Sequence, residues 1–202
     1  MNNPDMLTMF ARNVRLLHPK LDGTYRFNSS EKRSEPCAAS AQGAAWSVNW
    51  EMKADDAKPL YAAMKAHYED CRTRNKKLPE FNKVFGFKKH EDGTVSFAAK
   101  KRGVSGEGKA NKQPDVVDHN KVALADRAIW SNSEGNIKFI AFPTVDPDGI
   151  GGISLLLDAV QVTKAVYGGS SLDGFDVVEA AEDFSSVAAS VKAAGPKPDD
   201  LF

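Results

Sequence analysis

Three short groups of residues have the side chains that catalysis or metal binding would need. His67 and Cys71 stand four residues apart, a spacing that places both on one face of a helix. A structural zinc site needs four ligands, and the other histidines and Cys37 are scattered along the chain, so this pair does not predict a metal site. Asp115, Asp118 and His119 form a compact polar group that a turn between strands explains without catalysis.

A glycine-rich segment at residues 103–110 has the spacing of a phosphate-binding loop. Gly103, Gly108 and Lys109 occupy the positions of the pattern G-x-x-x-x-G-K. The next residue is Ala110, where a serine or threonine would hold magnesium, and Pro114 interrupts the helix that should follow. We therefore expect a basic loop here, no cofactor, and a protein that is not an enzyme.

Residues 71–112 combine positive charge with aromatic rings. They carry 12 basic and 4 acidic residues, a balance of +8, although the whole chain has 27 of each. Lysine and arginine can follow a phosphate backbone, and aromatic rings stack on unpaired bases. A hairpin with one core face and one solvated basic face is the alternative. The residues predicted to contact single-stranded DNA are Lys83, Phe85, Phe87, Lys88, Lys89, Lys100, Lys101 and Arg102, with Arg12 and Arg15 from the first strand.

The strand predicted at residues 45–52 shows the clearest alternation in the chain. Trp46, Val48, Trp50 and Met52 fall on one face, and polar residues fall on the other. A period of two with one fully apolar face indicates a half-buried strand. We expect both tryptophans to pack in the core and not to stack on bases.

The remaining segments predict a mainly β fold with one inserted helix. Asp92-Gly93 between two extended runs indicates a hairpin, and apolar residues at helical spacing indicate a helix after the tryptophan strand. In the first half of the chain we further expect a strand over 6–17 ended by His18-Pro19, a loop over 28–43, and a helix capped by Asp55 or Asp56 and reaching Lys77. In the second half we expect strands at 116–117, 121–125, 128–130, 137–142 and 153–167, with turns at Gly135-Asn136 and 146–149. This pattern predicts a small Greek-key barrel or sandwich, and the OB-fold is the commonest such barrel that binds single strands.

Charge divides the chain into two parts. Residues 1–164 carry 25 basic and 20 acidic residues, a balance of +5, and residues 165–202 carry 2 and 7, a balance of −5. The composition changes after Gly168-Gly169, so we predict a domain over 1–167 and a flexible acidic tail over 168–202. The tail ends in Asp199, Asp200, Leu201 and Phe202, which suit a peptide ligand with acidic residues and an aromatic anchor.

Other sequence features predict a protein of the cytoplasm. No apolar run approaches the ~20 residues of a membrane span. The first five residues show no basic start and no apolar signal core, so we do not expect secretion, and we expect Cys37 and Cys71 to be free thiols.

Three stretches in consistent order resemble the single-stranded DNA-binding proteins of tailed phages. They are residues 45–58 with the helix that follows, residues 91–97, and residues 151–162 with the glycine step and the Phe-ended tail. The resemblance implies an OB-fold that coats single-stranded DNA in phage replication or recombination, in the host cytoplasm. It also implies a tail that recruits replication proteins such as polymerase and helicase-primase, and that screens the DNA site when DNA is absent. A homodimer stays open, as does the alternative of a protein-interaction or RNA-binding β-barrel module.

Overall fold

Strands make up most of the part of the chain that the structure, a computed structural model, describes, which is residues 3–124 and 129–166. A single long helix interrupts them. The elements in chain order are β1 (Leu7–Asn28), β2 (Arg33–Pro36), β3 (Ala45–Lys53), α1 (Ala54–Arg74), β4 (Phe81–Val84), β5 (Lys88–Lys89), β6 (Thr94–Arg102), β7 (Asp115–Val117), β8 (Glu134–Val145) and β9 (Gly151–Lys164).

Five of the strands close into a barrel in the order β1–β3–β6–β9–β8 and back to β1. The pairs β1–β3, β3–β6, β8–β9 and β1–β8 are antiparallel, and the closing pair β6–β9 is parallel, through Lys100 and Leu156. β1 is long enough to pair with β8 through its first half and with β3 through its second half. A closed five-stranded barrel with this Greek-key order is the OB-fold, as the sequence predicts.

The barrel interior is filled by the apolar faces of these strands. Trp50 of β3 lies at its centre, with its ring centroid 5.4 Å from that of Phe97 in β6 and 5.3 Å from that of Phe139 in β8. All three side chains are fully buried. Because aromatic pairs at this separation add to the free energy of burial, the triplet ties together three strands that are distant in sequence. The prediction that Trp46 and Trp50 are core residues is confirmed.

Helix α1 packs against the barrel through one face, where Ala57, Met64, Tyr68 and Cys71 are buried. Two acidic residues lie in its first turn and two arginines in its last turn, an order that suits the helix dipole. The helix begins at Ala54, two or three residues earlier than a cap at Asp55 or Asp56 would give, and it ends at Arg74 and not at Lys77. Lys53 at the N-cap provides no side-chain hydrogen bond. The prediction that Asp55 or Asp56 caps the helix is therefore wrong.

Residues 81–89 bridge the barrel between β9 and β6. β4 pairs with the start of β9, and β5 pairs with the start of β6. Between them the chain turns at Gly86, which has a φ of 83° and lies against β6, since a Cβ on it would stand 2.8 Å from the Cβ of Ala98. Only glycine allows both this backbone conformation and this close approach.

Four expectations about the strands need correction. Residues 121–124 form no strand, since Ala123 makes only an isolated bridge to Val117. β1 does not end at His18-Pro19 but continues to Asn28, because a left-handed φ of 46° at His18 and two register shifts absorb the proline. Residues 28–43 are not all loop, since β2 pairs with the end of β1. Gly135-Asn136 is not a turn, since both residues lie within β8 and pair with β9.

Candidate nucleic-acid interface

Three strands of the barrel, β1, β3 and β6, align their outward-facing side chains in rows with β5. In one row Arg15 of β1 pairs with Glu51 of β3, Glu51 with Ser96 of β6, and Ser96 with Lys88 of β5. In a second row Lys20 of β1 pairs with Ser47 of β3, and Ser47 with Lys100 of β6. Because cross-strand partners point to the same side of a sheet, these side chains share one surface.

A third row extends the surface toward the β1–β2 hairpin. Tyr25 of β1 pairs with Ala45 of β3, and Ala45 pairs with Arg102 of β6. The cations collected by the three rows define what we call the basic face: Arg15, Lys20, Lys88, Lys100 and Arg102. Lys88, Lys100 and Arg102 are exposed. The face therefore presents positive charge across β1, β3, β5 and β6.

Two carboxylates flank Arg15: Glu51 of β3 within the basic face, and Glu134 of β8 at its edge. Glu51 forms an ion pair with Arg15 and is only 14% exposed, whereas the Arg15 side chain is 48% exposed. The pair offsets one of the five positive charges. The face therefore carries its strongest net charge at Lys20, Lys88, Lys100 and Arg102.

The structure brings four of the ten predicted contact residues to this face, namely Arg15, Lys88, Lys100 and Arg102. Strand alternation separates each from its neighbour. Lys89 pairs with the buried Val95 and borders the groove beside α1. Lys101 pairs with Trp46, on the opposite side of β6 from Lys100. Arg12 lies 5.4 Å from the ring of Phe10 on the outer surface of β1 and β8.

The two predicted aromatic contacts occupy different environments. Phe87 is half-buried and packs on Tyr61 of α1 and on Phe97, with centroids 5.1 Å away in both pairs, so its ring belongs to the core. Phe85 packs beside the start of β9, with Lys83 Nζ 5.0 Å from its ring centroid. Lys83 in turn lies 3.5 Å from the Asp146 carboxylate, so its charge is partly offset.

The basic face includes or adjoins three residues that the sequence pattern did not single out, namely Lys20, Tyr25 and Phe27. Lys20 lies within it, with its ammonium 4.4 Å from the centroid of the Tyr25 ring. Phe27, two residues further along β1, is 66% exposed in the β1–β2 hairpin. The sequence pattern misses these residues because a register shift of β1 between Lys20 and Tyr25 interrupts the period-2 alternation of side chains.

The predicted helical pair His67 and Cys71 does come together. Nε2 of His67 is 3.6 Å from Sγ of Cys71, and burial raises the pKa of the Cys71 thiol. Within residues 3–124 and 129–166, no group of three or more histidine, cysteine, aspartate or glutamate side chains is placed to hold a metal ion. Both cysteines are free thiols.

Two further observations concern the chain as a whole. Among the described residues, no helix has both the length and the apolar character that crossing a membrane requires. The predicted tail residues Asp199, Asp200, Leu201 and Phe202 lie outside the described residues.

OB-folds bind oligonucleotides and oligosaccharides over the face of their second and third barrel strands, which in this chain are β3 and β6. Comparison with solved structures finds, among others, three structures of two similar proteins. The single-stranded DNA-binding protein from bacteriophage Enc34 matches with a TM-score of 0.56 and 16% identity, over 87% of this chain and 97% of that one. Its complex with single-stranded DNA matches with a TM-score of 0.56 and 14% identity, over 84% and 96%.

The third is gp2.5, a single-stranded DNA-binding protein encoded by bacteriophage T7. It matches with a TM-score of 0.50 and 15% identity, over 86% of this chain and 98% of that one. No family model matches the chain, and no curated protein sequence matches it. At these identities the likeness concerns the fold. The resemblance to the phage single-stranded DNA-binding proteins is thus confirmed at that level, over most of the chain.

Proposed function

We propose that this protein binds single-stranded DNA without sequence preference, through the basic face of its barrel. The observation that carries the proposal is the alignment of Lys20, Lys88, Lys100 and Arg102 by cross-strand pairing. The face lies over the barrel strands that OB-folds use for oligonucleotides, with the β1–β2 hairpin at its edge. Lysine and arginine supply sequence-independent contacts to phosphates. The fold shared with phage single-stranded DNA-binding proteins supports the same conclusion.

The contact set that we propose is narrower than the one expected from the sequence. It keeps Arg15, Lys88, Lys100 and Arg102 and adds Lys20. Phe87 is left out because it packs in the core, and Lys89 and Lys101 are left out because they point away from the face. Lys83 and Phe85 lie beside the start of β9, outside the three rows, and Arg12 lies on the outer surface of β1 and β8.

We also propose that residues 168–202 act as an acidic tail that recruits proteins of phage DNA replication or recombination in the host cytoplasm. The support for this role is the composition of the tail and its resemblance to the Phe-ended tails of phage single-stranded DNA-binding proteins. The tail is not needed for the charge alignment on the barrel. The two proposals are therefore tested separately.

Fluorescence anisotropy of labelled oligo-dT, with oligo-U and a duplex of equal length as competitors, tests the DNA-binding proposal. We expect oligo-dT to bind more tightly than the duplex, and its affinity to fall with salt with a log–log slope of about −0.7 for each phosphate neutralised. Lys100→Ala should weaken binding and reduce this slope by about 0.7. Lys101→Ala removes the same charge from the other side of β6 and should have little effect.

Equal affinity for single strands and duplex would contradict the proposal. Tighter binding of oligo-U than of oligo-dT would assign the face to RNA. If neither nucleic acid binds at ~0.1 M salt, where charges are screened beyond ~10 Å, the protein-interaction alternative gains support.

A further inference from the structure

We propose that a concavity beside the basic face, between Tyr25 and Trp130, is a subsite for one unpaired nucleobase of the bound strand. This inference rests on the proposed function, since the strand must lie on the basic face for a base to reach it. The concavity has a volume of about 260 Å³. It is lined by His18, Pro19, Lys20, Asp22, Tyr25, Ile129, Trp130 and Ser131.

Trp130 supplies the surface on which a base would stack. Its side chain is 52% exposed, although it is one of the largest apolar groups in the chain. Its backbone is nevertheless fixed, because its N–H donates to the Val166 carbonyl at 2.8 Å and its own carbonyl accepts from Ser133 Oγ at 2.8 Å. An exposed ring on a fixed backbone can stack on a base with little ordering cost.

Tyr25 forms another wall of the same concavity, and its position is also fixed. Its hydroxyl donates to the Asp22 carboxylate at 3.1 Å, and Lys20 holds its ammonium over the ring. Burial, with the neighbouring Asp22 carboxylate, raises the pKa of the Tyr25 hydroxyl. The hydroxyl therefore remains a hydrogen-bond donor at neutral pH.

The kink of β1 at His18 brings the two walls together. His18 has a φ of 46°, which is unusual for a residue other than glycine, and its N–H donates to Ser131 Oγ at 2.8 Å. This hydrogen bond fixes β1 beside residues 129–131. Strained backbone of this kind is concentrated at functional sites, where the surrounding structure maintains it.

The charges of the concavity favour a base over a phosphate. Asp22 lines it, and a carboxylate repels a phosphate group. Lys20 lines it too, and it belongs to the basic face through its pairing with Ser47. The base therefore enters beside Trp130, while the adjoining phosphate stays at Lys20. Sequence tolerance follows, because every base has a face that can stack.

Intrinsic fluorescence of the full-length protein tests this subsite directly. The chain has three tryptophans, and Trp46 and Trp50 are 6% and 0% exposed, so a bound base can contact Trp130 alone among them. We expect oligo-dT and oligo-U, whichever binds, to quench the emission of the wild-type protein on stacking. Trp130→Phe should abolish the quenching and keep most of the affinity.

The DNA affinity of a variant without the Trp130 ring provides a second test. Trp130→Ala should lower affinity on the order of 5- to 150-fold, the range for one stacked base, without changing the salt slope, because no phosphate contact is lost. Lys20→Ala should reduce the slope instead. Phe10→Ala is the matched control, since Phe10 is 48% exposed on the outer surface of β1 and β8 and its loss should leave affinity unchanged.

The outcomes separate this inference from the proposed function. If neither oligonucleotide binds, both fail together. If oligo-dT binds and Lys100→Ala weakens it, but the wild-type emission is not quenched and Trp130→Ala binds normally, the subsite alone is overturned. Should Trp130→Ala fail to fold, quenching of the wild type and its loss in Trp130→Phe still decide the question.

Discussion

Glu51 is the residue whose charge opposes the rest of the basic face. It lies in the middle of the row Arg15–Glu51–Ser96–Lys88 and pairs with Arg15. A carboxylate here repels a phosphate backbone, and its ion pair with Arg15 competes with any contact between Arg15 and a phosphate. Replacing Glu51 by the isosteric glutamine therefore tests whether the bound DNA strand follows this row of side chains.

We expect Glu51→Gln to tighten the binding of oligo-dT several-fold and to steepen the salt slope by up to about 0.7, as Arg15 becomes available to a phosphate. Anisotropy titrations between 50 and 300 mM salt measure both quantities. Glu69→Gln is the control, because Glu69 lies on α1, paired with Arg72 and outside the three rows, and the variant also loses one negative charge. Weaker binding by Glu51→Gln would show that the strand does not cross this row.

Gly152 is required for the contact between β9 and β4. A Cβ at this position would overlap the backbone carbonyl of Lys83 and would stand 3.0 Å from the Phe85 ring. Since a strand carbonyl cannot move without disturbing its pairing, Gly152→Ala should cost about 1–3 kcal/mol of unfolding free energy. That corresponds to a fall in Tm of roughly 2–12 °C for a chain of this size.

Differential scanning calorimetry of the full chain measures this change. Gly106→Ala is the control, because a Cβ on Gly106 meets no atom within 4 Å. Equal Tm values for the two variants would mean that β4 does not pack on β9 as described.

At the scale of elements, the sequence predicts best where a local pattern decides the structure. The alternation at residues 45–52 identifies β3 and its buried face, and Asp92-Gly93 identifies the turn before β6. Both depend on neighbours within a few residues. The resulting barrel could therefore be inferred with its helix in the correct place.

The membership of the basic face is less accessible from sequence. Adjacent cations such as Lys88 and Lys89 must point to opposite sides of a strand, so period-2 alternation by itself divides the predicted contact residues into two sets. No local signal selects which set faces outward, because that depends on pairing between strands distant in sequence. Tyr25 and Trp130 are more than 100 residues apart, and hydrogen bonds of Leu16 and His18 with residues 131–133 bring their segments together.

The β8–β9 turn contains a carboxylate, Asp146, whose contribution to the stability of the fold should depend on pH. Asp146 accepts hydrogen bonds from the N–H groups of Ile150 at 2.8 Å and Asp148 at 3.1 Å, and it lies near Lys83. The hydrogen bond from Ile150, followed by the bond and charge of Lys83, lowers the pKa of Asp146 below 3.8. A carboxyl group with a lowered folded-state pKa stabilises the fold above its unfolded-state pKa, and this stabilisation disappears as the pH falls through the folded value.

We therefore expect Asp146→Asn to be less stable than the wild type at pH 6, and the two Tm curves to converge as the pH falls from about 5 toward 2, since a protonated aspartate resembles asparagine. Thermal unfolding at pH 6, 5, 4, 3 and 2 provides the comparison. Asp148→Asn removes a carboxylate from the same turn and should run parallel to the wild type. A constant difference between Asp146→Asn and the wild type at every pH would rule out this explanation.

For the whole molecule, the distribution of charge matters more than its total. The chain has no net formal charge, yet residues 1–164 carry a balance of +5 and residues 165–202 a balance of −5. The barrel collects part of its positive charge on one face, where a phosphate backbone would bind. On the proposal that residues 168–202 act as an acidic tail, we expect this tail to compete with DNA for the basic face at low salt.

This competition gives a prediction that separates charge from apolar anchoring. Asp199→Asn combined with Asp200→Asn in the full chain should leave the Tm unchanged and make oligo-dT binding equal or tighter, with any gain disappearing toward 1 M salt, where the Debye length is ~3 Å. Leu201→Ala combined with Phe202→Ala keeps both charges. That variant should bind DNA like the wild type and lose the binding of a replication protein, measured by surface plasmon resonance with immobilised polymerase or helicase-primase. Weaker DNA binding by the Asp199 and Asp200 variant would contradict the proposed competition between tail and DNA. Removing a competing anion strengthens DNA binding or leaves it unchanged, so a loss of affinity would mean that the two carboxylates support the fold of the DNA site.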